Sequence, residues 1–106
     1  MRNEVIVRKL IVYADKILGY CDGVSYDGFC GDSKLVDACV FNLSQMGELA
    51  NRVDSEFADA HPGIPWRMIY GLRNRIVHDY EGVNLQLIWE IIHDDLPGLR
   101  EELTRL

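Results

Sequence analysis

Apolar positions recur at helical spacing along most of the chain. Between Val5 and Leu18 the apolar side chains fall three or four positions apart, and charged side chains occupy the positions between them. This period of about 3.6 residues is typical of an amphipathic α-helix with one buried face. Gly19 is expected to end the helix. Residues 20–31 contain three glycines, and their apolar positions have no regular spacing, which predicts a mobile loop.

A second long helix is predicted from Asp32 or Ser33 to about Val53. Either residue can accept a hydrogen bond from a backbone N–H at the start of a helix. Gly47 lies inside the predicted helix, where glycine costs about 1 kcal/mol of helix propensity relative to alanine. We therefore expect another helix to cross closely there. A short helix over residues 55–60 follows.

The next predicted helix runs from Pro65 to about Glu81. Proline is well tolerated at the first helical position, and Gly82 can adopt the left-handed conformation that often ends a helix. The apolar positions cover an arc of about 160°, wider than the ~100° stripe that one core face needs. This width predicts that the helix packs on two sides.

Arg73 falls inside that apolar arc, close to the angle of Tyr80, while Asn74 and His78 are four residues apart on its flank. A guanidinium on an apolar face costs several kcal/mol unless it is paired or lines a wet cleft. One explanation is a salt bridge to Glu48 on a neighbouring helix. The other is a polar cleft between two subunits, and both remain open on the pattern alone.

Two further helices are predicted near the end of the chain. Asn84 can cap a helix that runs to about His93, and Pro97 begins a last short helix. No segment has the period of two that indicates a strand. The sequence therefore predicts an all-α fold, an antiparallel bundle of about five helices that forms one domain over residues 1–106.

Composition is that of an ordinary globular protein, with 48% hydrophobic and 26% charged residues. No apolar run approaches a membrane span and the N-terminus lacks a signal-peptide pattern, so we expect a cytoplasmic protein without membrane contact. The three cysteines include no C-x-x-C pair, and no zinc site is indicated. Cys39 fits a core position, whereas Cys21 and Cys30 flank the predicted loop and could come together, although a structural disulfide is not expected. No metal or other cofactor is expected.

Charge is unevenly distributed along the chain. The net charge of −6 disfavours bulk attraction to nucleic acid. Between Trp66 and Tyr80, however, three arginines and one aspartate give +2, so the remainder carries −8. This concentration favours local contacts to phosphate. The alternative is that Arg67 and Arg75 are simply solvated helix charges.

The same segment carries a recognisable motif. Arg73-Asn74, followed by His78 and Tyr80, resembles the R-N-x-x-x-H-x-Y signature of HEPN-superfamily ribonucleases, specifically the HepT toxins of HepT/MntA toxin–antitoxin pairs. The resemblance covers nearly the whole chain apart from residues 19–32. Further segments that match the family pattern are His61-Pro62-Gly63-Ile64-Pro65-Trp66-Arg67, Met46-Gly47-Glu48-Leu49-Ala50, Trp89-Glu90-Ile91-Ile92 and Asp95-Leu96-Pro97.

The resemblance implies a homodimer whose composite cleft cleaves RNA without a metal ion. Such cleavage needs a base for the 2′-hydroxyl proton, positive charge near the phosphorane and an acid for the leaving oxygen, and it yields a 2′,3′-cyclic phosphate. His78 is expected to act as general acid or base, Arg73 to contact the scissile phosphate, and Asn74 to orient His78 or the phosphate. One motif histidine per chain supplies one proton transfer at a time, so two chains are needed.

The resemblance also implies a means of inactivation. A cognate MntA-like nucleotidyltransferase is expected to transfer AMP to Tyr80, and the added negative charge would keep RNA phosphate out of the cleft. The simpler interpretation of Tyr80 is an aromatic that packs at the helix end. His61 and His93 are expected to be structural, in a turn and near a helix end respectively.

Two other classes of function remain open. The first is a noncatalytic HEPN module that binds RNA or a nucleotide and partners a nucleotidyltransferase. The second is a helical dimerisation domain in which Arg73 and Glu48 hold two helices together. The ribonuclease interpretation predicts that substitution of Arg73 or His78 abolishes cleavage while the fold persists.

Overall fold

The computed structural model describes residues 2–78 and 82–106, with the backbone alone at His78. It has an all-α fold, which confirms the predicted class. Its α-helices are α1 (Asn3–Cys21), α2 (Tyr26–Cys30), α3 (Ser33–Ala50), α4 (Ser55–Ala60), α5 (Trp66–Tyr70), α6 (Leu72–Ile76), α7 (Leu85–Glu90) and α8 (Leu96–Thr104). A π-helical turn, Ile91–Asp95, joins α7 to α8, and a short antiparallel pair, β1 (Val77–His78) and β2 (Gly82–Val83), follows α6.

The core forms mainly between α1 and α3, which share the most extensive contact in the fold. Apolar side chains at helical spacing on both helices are fully buried. Helix α8 packs on α1 as well, and α5 and α6 pack on α3. No helix in the described part of the chain combines the length and apolar character needed to cross a membrane. The fully buried residues of the α1–α3 contact are Ile6, Leu10, Ala14, Ile17, Cys39, Leu43 and Met46.

The first helix and the segment after it differ from the prediction. Gly19 does not end α1, which continues to the buried Cys21, because burial of that last turn outweighs the low helix propensity of glycine. The segment predicted as a mobile loop contains α2. Phe29 of α2 is fully buried, and the Tyr26 ring packs edge-on against Trp89 with centroids 5.6 Å apart. Burial of Phe29 and the contact between Tyr26 and Trp89 stabilise α2, which the glycines of this segment make hard to predict from the sequence.

The cysteine next to Cys21 in the structure is Cys39, and all three cysteines are free thiols. Cys21 does not meet Cys30; its sulfur lies 3.6 Å from that of Cys39, and both side chains are buried. Burial raises the pKa of the Cys39 thiol to about 12, and it raises the pKa of Cys21 as well. Both groups are therefore protonated thiols at neutral pH, which fits the core position predicted for Cys39.

Helix α3 starts as predicted and supports the helices that carry the motif. The Asp32 carboxylate accepts a hydrogen bond from the Leu35 N–H at 3.1 Å, although α3 ends at Ala50 rather than near Val53. The predicted close crossing at Gly47 is confirmed, because a Cβ there would lie 3.1 Å from the Ile69 carbonyl oxygen of α5. Backbone of α5 therefore rests directly on α3.

Alanine substitutions at two glycines should have opposite effects on stability. In α1, a Cβ at Gly19 meets nothing within 4 Å, so Gly19→Ala should raise the free energy of unfolding by about 0.5–1 kcal/mol through helix propensity. At Gly47 the added methyl is crowded by two α5 carbonyls, and overpacking of about 1–3 kcal/mol should outweigh that gain. Urea unfolding followed by circular dichroism measures both. Equal stabilisation by the two substitutions would contradict the close crossing.

The last two predicted helices form one continuous helical run. The Leu96 N–H donates to the Ile91 carbonyl oxygen five residues earlier, which defines the π-helical turn between α7 and α8. Pro97 was predicted to begin a separate helix because it has no N–H to donate. The π-helical turn places Pro97 in the first turn of α8, where a missing backbone N–H is tolerated. The chain therefore stays helical from α7 to α8.

Candidate active site

The motif does not lie on one unbroken helix, so the predicted helix from Pro65 to Glu81 is wrong. Gly71 separates α5 from α6, and α6 ends at Ile76. Val77 is extended, with φ −107° and ψ 123°, and pairs with Val83 in the short strand pair. β-Branched residues favour this extended conformation. The prediction that no segment forms a strand is therefore also wrong.

The strand pair is held at its base by Asn84. The Asn84 N–H donates to the Ile76 carbonyl oxygen at 2.8 Å, and its side-chain oxygen accepts from the Leu87 N–H at 3.0 Å. The predicted cap of α7 is thus confirmed, and the same residue closes the pair. Gly82 has the left-handed conformation that was predicted, with φ 83°, but it lies in β2 opposite His78 rather than at a helix end.

Arg73 is exposed rather than part of an apolar face. Leu72 and Ile76 are buried and anchor α6 on the core. Gly71 has ψ 0° instead of the roughly −42° of a regular helix, so α6 is turned relative to α5. The apolar arc predicted for one continuous helix from Pro65 to Glu81 therefore assigned Arg73 to an apolar face incorrectly. Asn74, the next residue, is exposed as well.

The salt bridge between Arg73 and Glu48, one of the two explanations left open by the sequence, is not formed. Within residues 2–78 and 82–106, the ion pairs are Asp15 with Arg100 and Glu102 with Arg105. Glu48 is itself exposed on α3. The structure thus removes the reason to treat Arg73 as a structural arginine held by Glu48.

The structure describes only part of the motif. Arg73 and Asn74 lie side by side on α6, and the backbone of His78 lies in β1. Because α6 ends before His78, the helical relation predicted between Asn74 and His78 does not apply. Tyr80, the predicted modification site, lies outside the described residues.

The other two histidines have local structural partners. The His61 ring packs on Phe57 with centroids 4.5 Å apart, and the His61 carbonyl oxygen accepts from the Trp66 indole N–H. His93 is exposed and stacks on Trp89 at 3.8 Å. Its Nδ1 lies 2.9 Å from the Trp89 carbonyl oxygen, so Nδ1 carries the proton, because a carbonyl can only accept.

Positive charge is displayed on the surface of α5 and α6. Arg67, Arg73 and Arg75 are all exposed on these two short helices. Among the described residues, no three potential metal-ligating side chains of His, Cys, Asp or Glu come together. The arrangement offers guanidinium groups and an amide to an anionic ligand, beside the strand that contains His78.

Comparison with known proteins places the chain in a family. The model of the Ribonuclease HepT-like family matches residues 10–106. The chain is 33% identical over 101 residues to "Putative RNase TTE0752" of Caldanaerobacter subterraneus subsp. tengcongensis, which covers 89% of this chain and 90% of that protein. It is 29% identical over 83 residues to "Probable ribonuclease HepT" of Thermococcus cleftensis, which covers 78% of this chain and 76% of that protein. No solved structure matches the chain. The chain belongs to the HepT-like ribonuclease family.

Proposed function

We propose that this chain is the toxin of a toxin–antitoxin pair, an endoribonuclease that cleaves RNA without a metal ion. The observation that carries the proposal is the exposed Arg73–Asn74 pair on α6, directly before the strand that contains His78, in a chain of the HepT-like family. A guanidinium exposed in this way is available to a phosphate, which it can bind through two parallel hydrogen bonds.

The chemistry follows from the groups that RNA offers. As general base, His78 takes the proton of a 2′-hydroxyl, and the 2′-oxygen forms a bond to phosphorus. The bond from phosphorus to the 5′-oxygen breaks, and that oxygen takes a proton from a general acid. The products are a 2′,3′-cyclic phosphate and a 5′-hydroxyl. Arg73 stabilises the charge on the phosphorane, and Asn74 orients the imidazole or the phosphate.

Two copies of the chain complete the site. A single motif histidine cannot be base and acid in the same step, so a homodimer with a two-fold axis would supply one His78 from each copy. Each copy would be one HEPN domain over residues 1–106. In support of an open face beside the motif, Tyr70 of α5 is 54% exposed and Arg73 is exposed next to it on α6.

An MntA-like nucleotidyltransferase would act as the antitoxin by AMPylation of Tyr80. Tyr80 is two residues from His78 in the sequence, and the transferred AMP brings a phosphate with negative charge that competes with RNA phosphate. The Tyr80→Phe variant should therefore cleave RNA but escape inhibition when treated with the nucleotidyltransferase and ATP. Loss of cleavage in both the wild type and Tyr80→Phe after treatment with the nucleotidyltransferase and ATP would contradict the assignment of Tyr80 as the modified residue.

Cleavage in EDTA tests the proposed function. Wild-type protein, shown by mass spectrometry to lack AMP, is incubated with total tRNA or an mRNA, and the product ends are analysed. We expect cleavage with cyclic phosphate and 5′-hydroxyl ends, because the reaction uses the 2′-hydroxyl and needs no metal. A strict requirement for a divalent cation would contradict the proposal. Binding of RNA without any cleavage would favour the noncatalytic module.

A further inference from the structure

A wide groove lies beside α5, before the motif. It has a volume of about 620 Å³ and is bounded by α4 and by the segment that leads into α5. We call it the Trp66 groove and define it by five of its lining residues, Asp59, Pro62, Pro65, Trp66 and Arg67. None of these residues has a role in the chemistry proposed above.

The Trp66 side chain is held in place as a flat platform. Its indole N–H donates to the His61 carbonyl oxygen at 3.1 Å, and its ring packs edge-on against Phe57 with centroids 6.1 Å apart. The polar edge of the indole is thus satisfied within the protein, while the side chain still lines the groove. A fixed aromatic surface loses little conformational entropy when a ligand stacks on it.

The charges of the groove fit a nucleotide. Arg67 lines the groove, is exposed, and offers its guanidinium to a phosphate. Asp59, which also lines the groove, can accept a hydrogen bond from the exocyclic amine of a base. An aromatic face combined with a guanidinium is the usual platform for an unpaired base and its phosphate.

The groove is close to the motif along the chain. Gly71 alone separates α5 from α6, and helical hydrogen bonds run from Gly71 to Arg67 and from Arg75 to Gly71. Arg67 and Arg73 are six residues apart in the sequence, on the consecutive helices α5 and α6. Both guanidinium groups are exposed, as is the ring of Tyr70 between them in the sequence, so all three are accessible to an RNA strand.

We propose that the Trp66 groove is a substrate subsite for an unpaired nucleotide that flanks the cleavage position. The base stacks on Trp66, and its phosphate contacts Arg67. This inference rests on the proposed ribonuclease function and specifies its substrate as RNA that is single-stranded beside the cleaved bond. A base within a duplex is already stacked on its neighbours and does not fit the platform.

Tryptophan fluorescence tests the subsite directly, because the chain has two tryptophans, Trp66 and Trp89. In a His78→Ala background, which prevents cleavage, Trp89→Phe leaves Trp66 as the sole reporter and Trp66→Phe leaves Trp89. Saturable quenching by a short single-stranded RNA is expected for Trp66 and not for Trp89. Poly-glutamate of matched charge is the control, and equal quenching of Trp66 by it would overturn the proposal.

RNA-binding measurements on arginine variants are an independent test of the subsite. Arg67→Ala should weaken RNA binding severalfold and reduce the salt dependence of the affinity by about one ion. Arg52→Ala, which removes an exposed arginine after α3, should leave binding unchanged. Trp66→Ala should weaken binding about fivefold or more if circular dichroism shows it folded. If Trp66→Ala unfolds, the subsite is tested by Arg67→Ala and by the quenching of Trp66 fluorescence.

The outcomes separate this inference from the proposed function. RNA that binds without quenching Trp66, or with equal affinity after loss of Arg67, overturns the subsite even if the wild type cleaves RNA. RNA that is neither bound nor cleaved by the wild type overturns the proposed function, and the subsite is rejected with it. Quenching together with wild-type cleavage supports both.

Discussion

The His78→Ala variant should cleave RNA at least about a thousand times more slowly than the wild type. General acid–base catalysis contributes about 10²- to 10⁴-fold, and in a homodimer the substitution removes both the base and the acid. The backbone of His78 pairs with Gly82 and does not require the imidazole, so the fold should persist. Single-turnover cleavage of a labelled RNA in EDTA measures the loss, and circular dichroism checks the fold.

His93→Ala is the matched control for that experiment. It removes an exposed imidazole that stacks on Trp89, outside the motif, and should leave the cleavage rate within a few-fold of wild type. A rate for His78→Ala similar to that of His93→Ala would remove His78 from the mechanism. The HepT-like family assignment would stand, but the chemistry would need another base.

The Arg73→Ala variant should lose about 10²- to 10³-fold in cleavage rate with little change in stability. A guanidinium that stabilises transition-state charge has an effect of this size. Arg73 is exposed and makes no ion pair with Glu48, so its removal should change the free energy of unfolding by no more than about 0.5 kcal/mol. The measurements are single-turnover kinetics and urea unfolding.

Arg75→Ala is the control that separates position from charge. Arg75 is exposed on the same helix, two residues further along, and its substitution removes the same formal charge. We expect it to retain most of the activity. A large loss of stability in Arg73→Ala, in a chain whose wild type does not cleave RNA, would instead favour the helical dimerisation domain, the hypothesis in which Arg73 has a structural role.

Local signals in the sequence predicted the parts of the fold that local interactions determine. The apolar periods of α1 and α3, the caps at Asp32 and Asn84 and the crossing at Gly47 were all identified. Each depends on spacing or on one side chain near its own backbone. Helix α2 was missed because its stability comes from Phe29, which is buried against elements distant in sequence.

The candidate site was predicted less well because its geometry depends on where a helix ends. Ile76 and Val77 fit a helical period, but Val77 and Val83 can also pair as strands, and the pairing prevails. The single ψ angle of Gly71 then changed the expected position of Arg73 from an apolar face to the surface. Residue types and order identified the motif, whereas the exposure of Arg73 and Asn74 required the three-dimensional structure.

The π-helical turn at Ile91–Asp95 makes the C-terminal helical run sensitive to changes in length. The turn holds one residue more than a regular α-helix would, and this extra residue sets the rotation of α8 about its axis. Deletion of one residue from the turn would rotate α8 by about 100° and carry Leu96, Leu99 and Leu103 away from the core. Over evolution, this stretch should accept substitutions more readily than insertions or deletions.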